Sequence, residues 1–107
     1  MHYYAIYCKD HLDHNVEKRR SVRPAHLQRL EELSQAGRLL TAGPMFQQDG
    51  NNPLTDGIHG SVIIAQFDNR ISAQAWAAAD PYVTAGIYSV ANFQKRRLKP
   101  LPNNRRK

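Results

Sequence analysis

The order in which apolar runs alternate with helical spacing constrains this 107-residue chain more than any single motif. "HYYAIYC" (His2–Cys8) is aromatic and aliphatic and predicts a buried strand. Val16 to about Gly37 carries helical spacing, with Gly37 placed as a C-cap. "RLLTAGPMF" (Arg38–Phe46) predicts a second strand interrupted by Gly43-Pro44, and "SVIIAQF" (Ser61–Phe67) a third. Ser72 suits the N-cap of a second helix, with Ile71 stapling onto Trp76. That helix ends near Asp80, because the residue before Pro81 resists the helical region. "IYSVANF" (Ile87–Phe93) predicts a fourth strand. A strand–helix–strand–strand–helix–strand chain folds most simply as an α+β ferredoxin-like βαββαβ sandwich, a four-stranded antiparallel sheet with two helices on one face. The sheet's other face then has no cover within the chain. Apolar groups such as Tyr3, Ala5, Ile63 and Val90 can lie on either face, and a second copy is the economical cover, a homodimer through the sheet faces.

Length and absence of repeats point to one domain, residues 1–98, followed by a basic, solvated tail, 99–107. The net charge of +6 is unevenly placed. Lys95 to Lys107 hold seven of the fifteen basic side chains and no acid, so the remaining body is close to neutral. With few aromatics in that run to stack bases, its charge does not argue for a nucleic-acid protein. A single cysteine, Cys8, excludes an internal disulfide, and no segment reads as a signal peptide or membrane span. The expectation is a cytoplasmic protein. Gln47 to His59 is a long connection, and long loops in compact domains are commonly functional.

The first helix carries an anomaly. On a wheel of about 100° per residue, Val22, Leu33, Leu30, Leu27, Ala25 and Ala36 define a broad apolar arc. His26 falls at its middle, with Arg19 and Arg23 pointing the same way. Polar groups on a core-facing stripe must find partners or line a cavity. His26 is either a core histidine satisfied by a carbonyl or a base oriented by a carboxylate, and the arginines can also snorkel to the rim. Asp80 is the candidate carboxylate. Both helices lie on one sheet face, so the end of the second can approach the first. Held rigid by Pro81, Asp80 would accept from one imidazole nitrogen and leave the other as a base. Tyr82 and Gly86 would form part of the pocket wall.

Other constellations carry less. Asp10, His11, Asp13 and His14 have metal-ligand chemistry, but so tight a loop rarely converges four groups on one ion. Cys8, at the end of a buried strand, reads as packing. Ser61 lacks a nucleophile-elbow pattern and suits ligand hydrogen bonding. "GPMFQQDGNNPLTDG" lacks phosphate-loop spacing and its lysine, and Trp76 reads as core.

"RPAHLQRL", "LLTAGP", "GSVIIAQF" and "AAADPYVTAGIY" resemble, in order and spacing, the YciI-like proteins of the YCII-related family over roughly residues 3 to 98. The resemblance implies a ferredoxin-like domain, dimeric through its sheets as an α+β barrel, with a pocket containing a His–Asp dyad. By motif the dyad is His26 and Asp80, with Arg23, Gly43, Pro44, Ser61, Pro81 and Tyr82 as neighbours. One relative is a dehydrochlorinase of chloroaromatic degradation, and the wider group includes muconolactone isomerases. The long basic tail departs from that pattern. The expectation is a cofactor-independent acid–base enzyme, a lyase or isomerase acting on a small cyclic or aromatic molecule, with no metal. The alternative is a non-catalytic pocket that binds a small molecule or an oligomeric partner.

Overall fold

A computed structural model of the chain describes residues 1–10, 16–50, 52, 57–88 and 94–101. Four strands, β1 (His2–Lys9), β2 (Leu39–Phe46), β3 (Ile58–Phe67) and β4 (Gln94–Leu98), form one antiparallel sheet in the order β2-β3-β1-β4. Helices α1 (Val16–Gln35), α2 (Arg70–Ala78) and the single-turn α3 (Pro81–Thr84) complete the described residues. This is the ferredoxin-like α+β arrangement that the order of elements predicts.

Strict alternation along the central strands separates two sheet faces. Tyr4, Ile6 and Cys8 of β1 and Ile63, Ala65 and Phe67 of β3 are buried. They form the core with Leu33 of α1, Ala73 and Ala77 of α2, and Tyr82, Ile87 and Tyr88 from α3 and just beyond. Tyr3, Ala5 and Tyr7 alternate with that set, as do their register partners Gln66, Ile64 and Val62. These point the other way and stay only half-buried. Ile63 is therefore an inner residue and Tyr3 and Ala5 are outer ones. Val90 lies outside the described residues.

Several boundaries differ from expectation for identifiable reasons. β2 is not interrupted at Gly43-Pro44: Pro44 pairs with Ser61. An edge strand tolerates a proline because one side of its ladder needs no donor. Irregular register at Leu39/Thr41 and Met45/Phe46 absorbs the local mismatch. β3 begins three residues early, at Ile58. The N-cap of α2 is Asn69, whose side chain accepts from the Ser72 amide at 2.8 Å and also from the Ser72 hydroxyl. Ile71 is 80% exposed, so it does not staple onto Trp76. The chain does not simply stop at Pro81 either: Asp80 is extended and caps α3, with Pro81 at its first position. A polar segment beyond the expected fourth strand, Gln94–Leu98, pairs with Tyr3–Tyr7. Ile87 and Tyr88 are buried, Tyr88 bridges Asp10, and 89–93 lie outside the described residues. Charged side chains suit an edge strand, since they oppose further strand addition. Lys95, Arg96 and Arg97 thus belong to the sheet and not to a frayed end. Residues 102–107 of the expected tail lie outside the described residues.

Helix α1 buries a narrower stripe than the wheel suggests. Val22, His26, Leu30 and Leu33 turn inward, whereas Ala25 and Ala36 are exposed. Its end is as expected: Gly37 has φ +71, its N–H bonds Ser34 O, and the Arg38 N–H bonds Leu33 O. This is a Schellman closure, which favours glycine.

Gly60 is held by space instead. A Cβ there would lie 2.0 Å from the Cys8 carbonyl oxygen, which is backbone and cannot swing away. Urea unfolding should show Gly60→Ala destabilised by about 3 kcal/mol. Gly37→Ala, which meets nothing within 4 Å and carries only the left-handed penalty, should lose about 1 kcal/mol.

Candidate functional site

Two buried carboxylates and one helix organise the site. Asp80 is only 2% exposed and leaves the end of α2 in extended backbone. His26, three turns into α1 and also buried, places Nδ1 2.9 Å from both Asp80 oxygens. The Tyr82 amide donates to Oδ1 at 2.9 Å and Arg29 Nη1 to Oδ2 at 3.3 Å. Every group around the carboxylate is a donor. Asp80 therefore accepts, and Nδ1 must carry the proton that His26 gives it. In the neutral ring this leaves Nε2 with a lone pair.

Tyr82 fixes the ring plane. It stacks on His26 with centroids 4.1 Å apart and planes inclined by 13°. The Arg19 guanidinium lies 4.6 Å from the same phenol ring. Arg19 and His26 are two helical turns apart on one face of α1, about 10 Å along the axis, so the Tyr82 ring is clamped between them. Tyr88 meets Tyr82 edge-on at 5.2 Å. Burial pushes both phenols above their ordinary range, with the Arg19 charge opposing it at each and a Ser61 hydrogen bond opposing it further at Tyr88.

Arg19 belongs to a second buried cluster. It is 7% exposed, with Nη1 donating to Asp10 Oδ2 at 2.7 Å and Nη2 to the Ser61 hydroxyl at 3.0 Å. A buried guanidinium is tolerated because the carboxylate compensates its charge and the hydroxyl takes a further proton.

An open cavity of about 650 Å³ runs along this face of α1. Arg19, Arg20, Arg23 and His26 line it from the helix, with Leu27 and Leu30 as its apolar wall. Ala42, Gly43, Pro44 and Phe46 of β2, Ile58, Ser61 and Ile63 of β3, and Tyr82 close it. The combination of apolar walls with a cationic side suits a small anionic molecule.

Of the expected site residues, His26, Arg23, Gly43, Pro44, Ser61 and Tyr82 reach this cavity. Asp80 sits behind His26. Pro81 starts α3 but is not on the wall, and neither is Gly86, whose φ of +79 serves the turn after α3. Asp10 turns to Arg19, while His11, Asp13 and His14 lie outside the described residues. Cys8 is buried in the core. Sequence reasoning left Arg19 undecided between rim and interior, and missed Arg20, Arg29 and Tyr88. Arg19 shares the His26 face at a spacing of seven residues, which was a usable signal. Arg29 was not marked, because nothing local shows that α2 ends beside it.

A family model described as the YCII-related domain matches residues 2–94. Protein YciI of Escherichia coli is 56% identical over 95 residues, which is 86% of this chain and 96% of that protein. An uncharacterized protein of Haemophilus influenzae is 49% identical over 87 residues, 81% of this chain and 88% of its own. Among solved structures, 5-chloro-2-hydroxyhydroquinone dehydrochlorinase of Burkholderia phenoliruptrix, in complex with 2,5-dihydroxybenzoquinone, has a TM-score of 0.75. It is 25% identical, and the likeness covers 91% of this chain and 93% of that one.

The Arg19–Asp10 pair should show strong coupling in a double-mutant cycle. Asp10→Ala leaves a buried cation without its partner and should cost about 3–5 kcal/mol in urea unfolding. Arg19→Met with Asp10→Leu should cost clearly less than Asp10→Ala alone. Additive losses would mean that the two charges do not depend on one another.

Proposed function

The chain belongs to the YCII-related family, and on that premise we propose that it is an acid–base enzyme acting on a small, cyclic, anionic organic molecule. The reading is carried by one observation: a histidine lining the cavity has its Nδ1 held by both oxygens of a buried carboxylate. His26 takes a proton from the substrate through Nε2. Asp80 orients the ring and stabilises the imidazolium that forms. The electron pair left on the substrate then expels a leaving group, which departs with its bonding pair. Alternatively, the pair shifts along the ring and the proton returns at another carbon. The first course is elimination and the second isomerisation. Both conserve electrons, so neither requires a redox cofactor.

Arg23 is exposed on the cavity side of α1 and steadies the charge that develops on a substrate oxygen. Ser61 hydrogen-bonds the ligand, Gly43 and Pro44 let it approach the β2 backbone, and Pro81 and Tyr82 hold the end of α2 and the ring against His26. The dehydrochlorinase likeness supports this class of reaction, and the bound quinone of that structure supports a flat, oxygenated ligand.

Incubation with 5-chloro-2-hydroxyhydroquinone, scored by chloride release, tests the chemistry. His26→Ala should lower kcat by about 10²–10⁴-fold. Calorimetric binding of 2,5-dihydroxybenzoquinone should stay nearly unchanged. Binding without turnover in the unaltered chain would favour a ligand-binding module, and equal turnover in the variant would remove His26 from the chemistry.

We further propose that two copies cover each other's outer sheet face, where Tyr3, Ala5, Tyr7, Val62 and Ile64 are only half-buried, and that the folded unit, residues 1–98, works in the cytoplasm with 99–107 as an appendage. No helix among the described residues is long and apolar enough to cross a membrane. Light scattering at micromolar concentration should give a dimer. Ile64→Glu, which places a charge at the centre of that face, should give a folded monomer; a dimer that persists would put the interface elsewhere.

A further inference from the structure

We infer that Arg29 is a positioning residue for the His26–Asp80 pair: its guanidinium ties the Asp80 carboxylate to the end of α2 and so keeps the carboxylate in register with His26 Nδ1. The inference rests on the reading of His26 as the proton-transfer group, but it concerns a property of the chain that needs no substrate.

His26 and Arg29 stand three residues apart on α1, so one helical face presents both to the same carboxylate. The two meet different parts of it. Asp80 Oδ1 takes the Tyr82 amide, Oδ2 takes Arg29 Nη1 at 3.3 Å, and the His26 Nδ1 proton lies 2.9 Å from each oxygen. Arg29 is itself fixed at two further points. Its Nη2 donates to the Trp76 carbonyl at 2.8 Å, and its guanidinium sits over the Trp76 ring at 4.3 Å.

The Trp76 bond has a clear structural purpose. Carbonyls in the last turn of a helix lack intrahelical partners. In α2 the Ala75 and Ala77 carbonyls are taken by the Ala79 and Asp80 amides, and Arg29 serves the one between them. The same planar fork reaches Asp80, so one side chain, itself only 21% exposed, ties a carboxylate that is 3% exposed to the end of α2.

The consequence for His26 is geometric: its Nδ1 proton points between two oxygens whose position Arg29 helps to fix. The other groups facing His26 are Tyr82 of α3, stacked on it, and Tyr88 beyond α3, edge-on at 6.5 Å. Among the described residues Arg29 is the charged side chain, besides His26, that hydrogen-bonds Asp80.

Nitrogen-15 NMR of the His26 ring in the full chain tests this without any reaction. With Arg29 in place the neutral ring should show one tautomer, with its proton on Nδ1, because Asp80 accepts there. Arg29→Met, which keeps an apolar stem and no donor, should show a mixture of the two tautomers. Arg29→citrulline, made by ligation, keeps the planar donor fork and should keep the single tautomer. A single tautomer in a folded methionine chain overturns the inference, as does a mixture in the citrulline chain. Because none of these readings involves turnover, an inactive protein with the expected tautomers would sink the catalytic reading and leave the role of Arg29 standing.

Discussion

A carboxylate taken out of water must be supplied with donors, and the placement of Asp80 organises this half of the molecule. Its donors come from three directions: an imidazole and a guanidinium on α1, and the backbone amide that opens α3. Moving any one of them by an ångström would leave a buried charge short of a partner, at a cost of several kcal/mol. The crossing of α1 and α2, the turn at Pro81 and the plane of the His26 ring are therefore linked. Because carboxylate and imidazole satisfy each other, a histidine can occupy a stripe of α1 that would otherwise be leucine.

Arg19 repeats the device two turns earlier. Its partners come from the end of β1 and from β3, so the helix is pinned to the sheet by a charge pair at one end and by leucines at the other. Between the two clusters the Tyr82 ring fills the gap, stacked on one side and under a cation on the other. The outcome is a helix face that is polar where it borders the cavity and apolar where it meets the core.

Much of this architecture was legible in the residues. The order of apolar runs predicts a four-stranded antiparallel sheet with its helices on one face, because a βαββαβ chain has few ways to bury one face of each element. Gly37 announces the end of α1 by its need for positive φ. The polar interruption at Arg19 and His26 is visible on the wheel, as a local violation of the pattern that the rest of the helix obeys. What misled were signals whose meaning depends on neighbours. The charged "QKRRL" has the composition of a tail, yet it takes the sheet edge, where solvent on one side makes charge acceptable. Ser72 is a good cap by type, but Asn69 takes that position one turn earlier and accepts from the Ser72 amide itself.

The sequence by itself determined the fold class, the alternation of side chains along the central strands, and the presence of polar groups that needed partners on α1. It could do so because periodicity and turn chemistry are local properties, readable within a few residues. Only the tertiary structure decided who those partners are. His26 and Asp80 are separated by 54 positions, Arg29 and Asp80 by 51, and Arg19 and Ser61 by 42. No local rule relates such distant residues. They meet because helix lengths, strand register and a one-turn helix at Pro81 bring them to one place, and because charges buried there are stable only in one another's company.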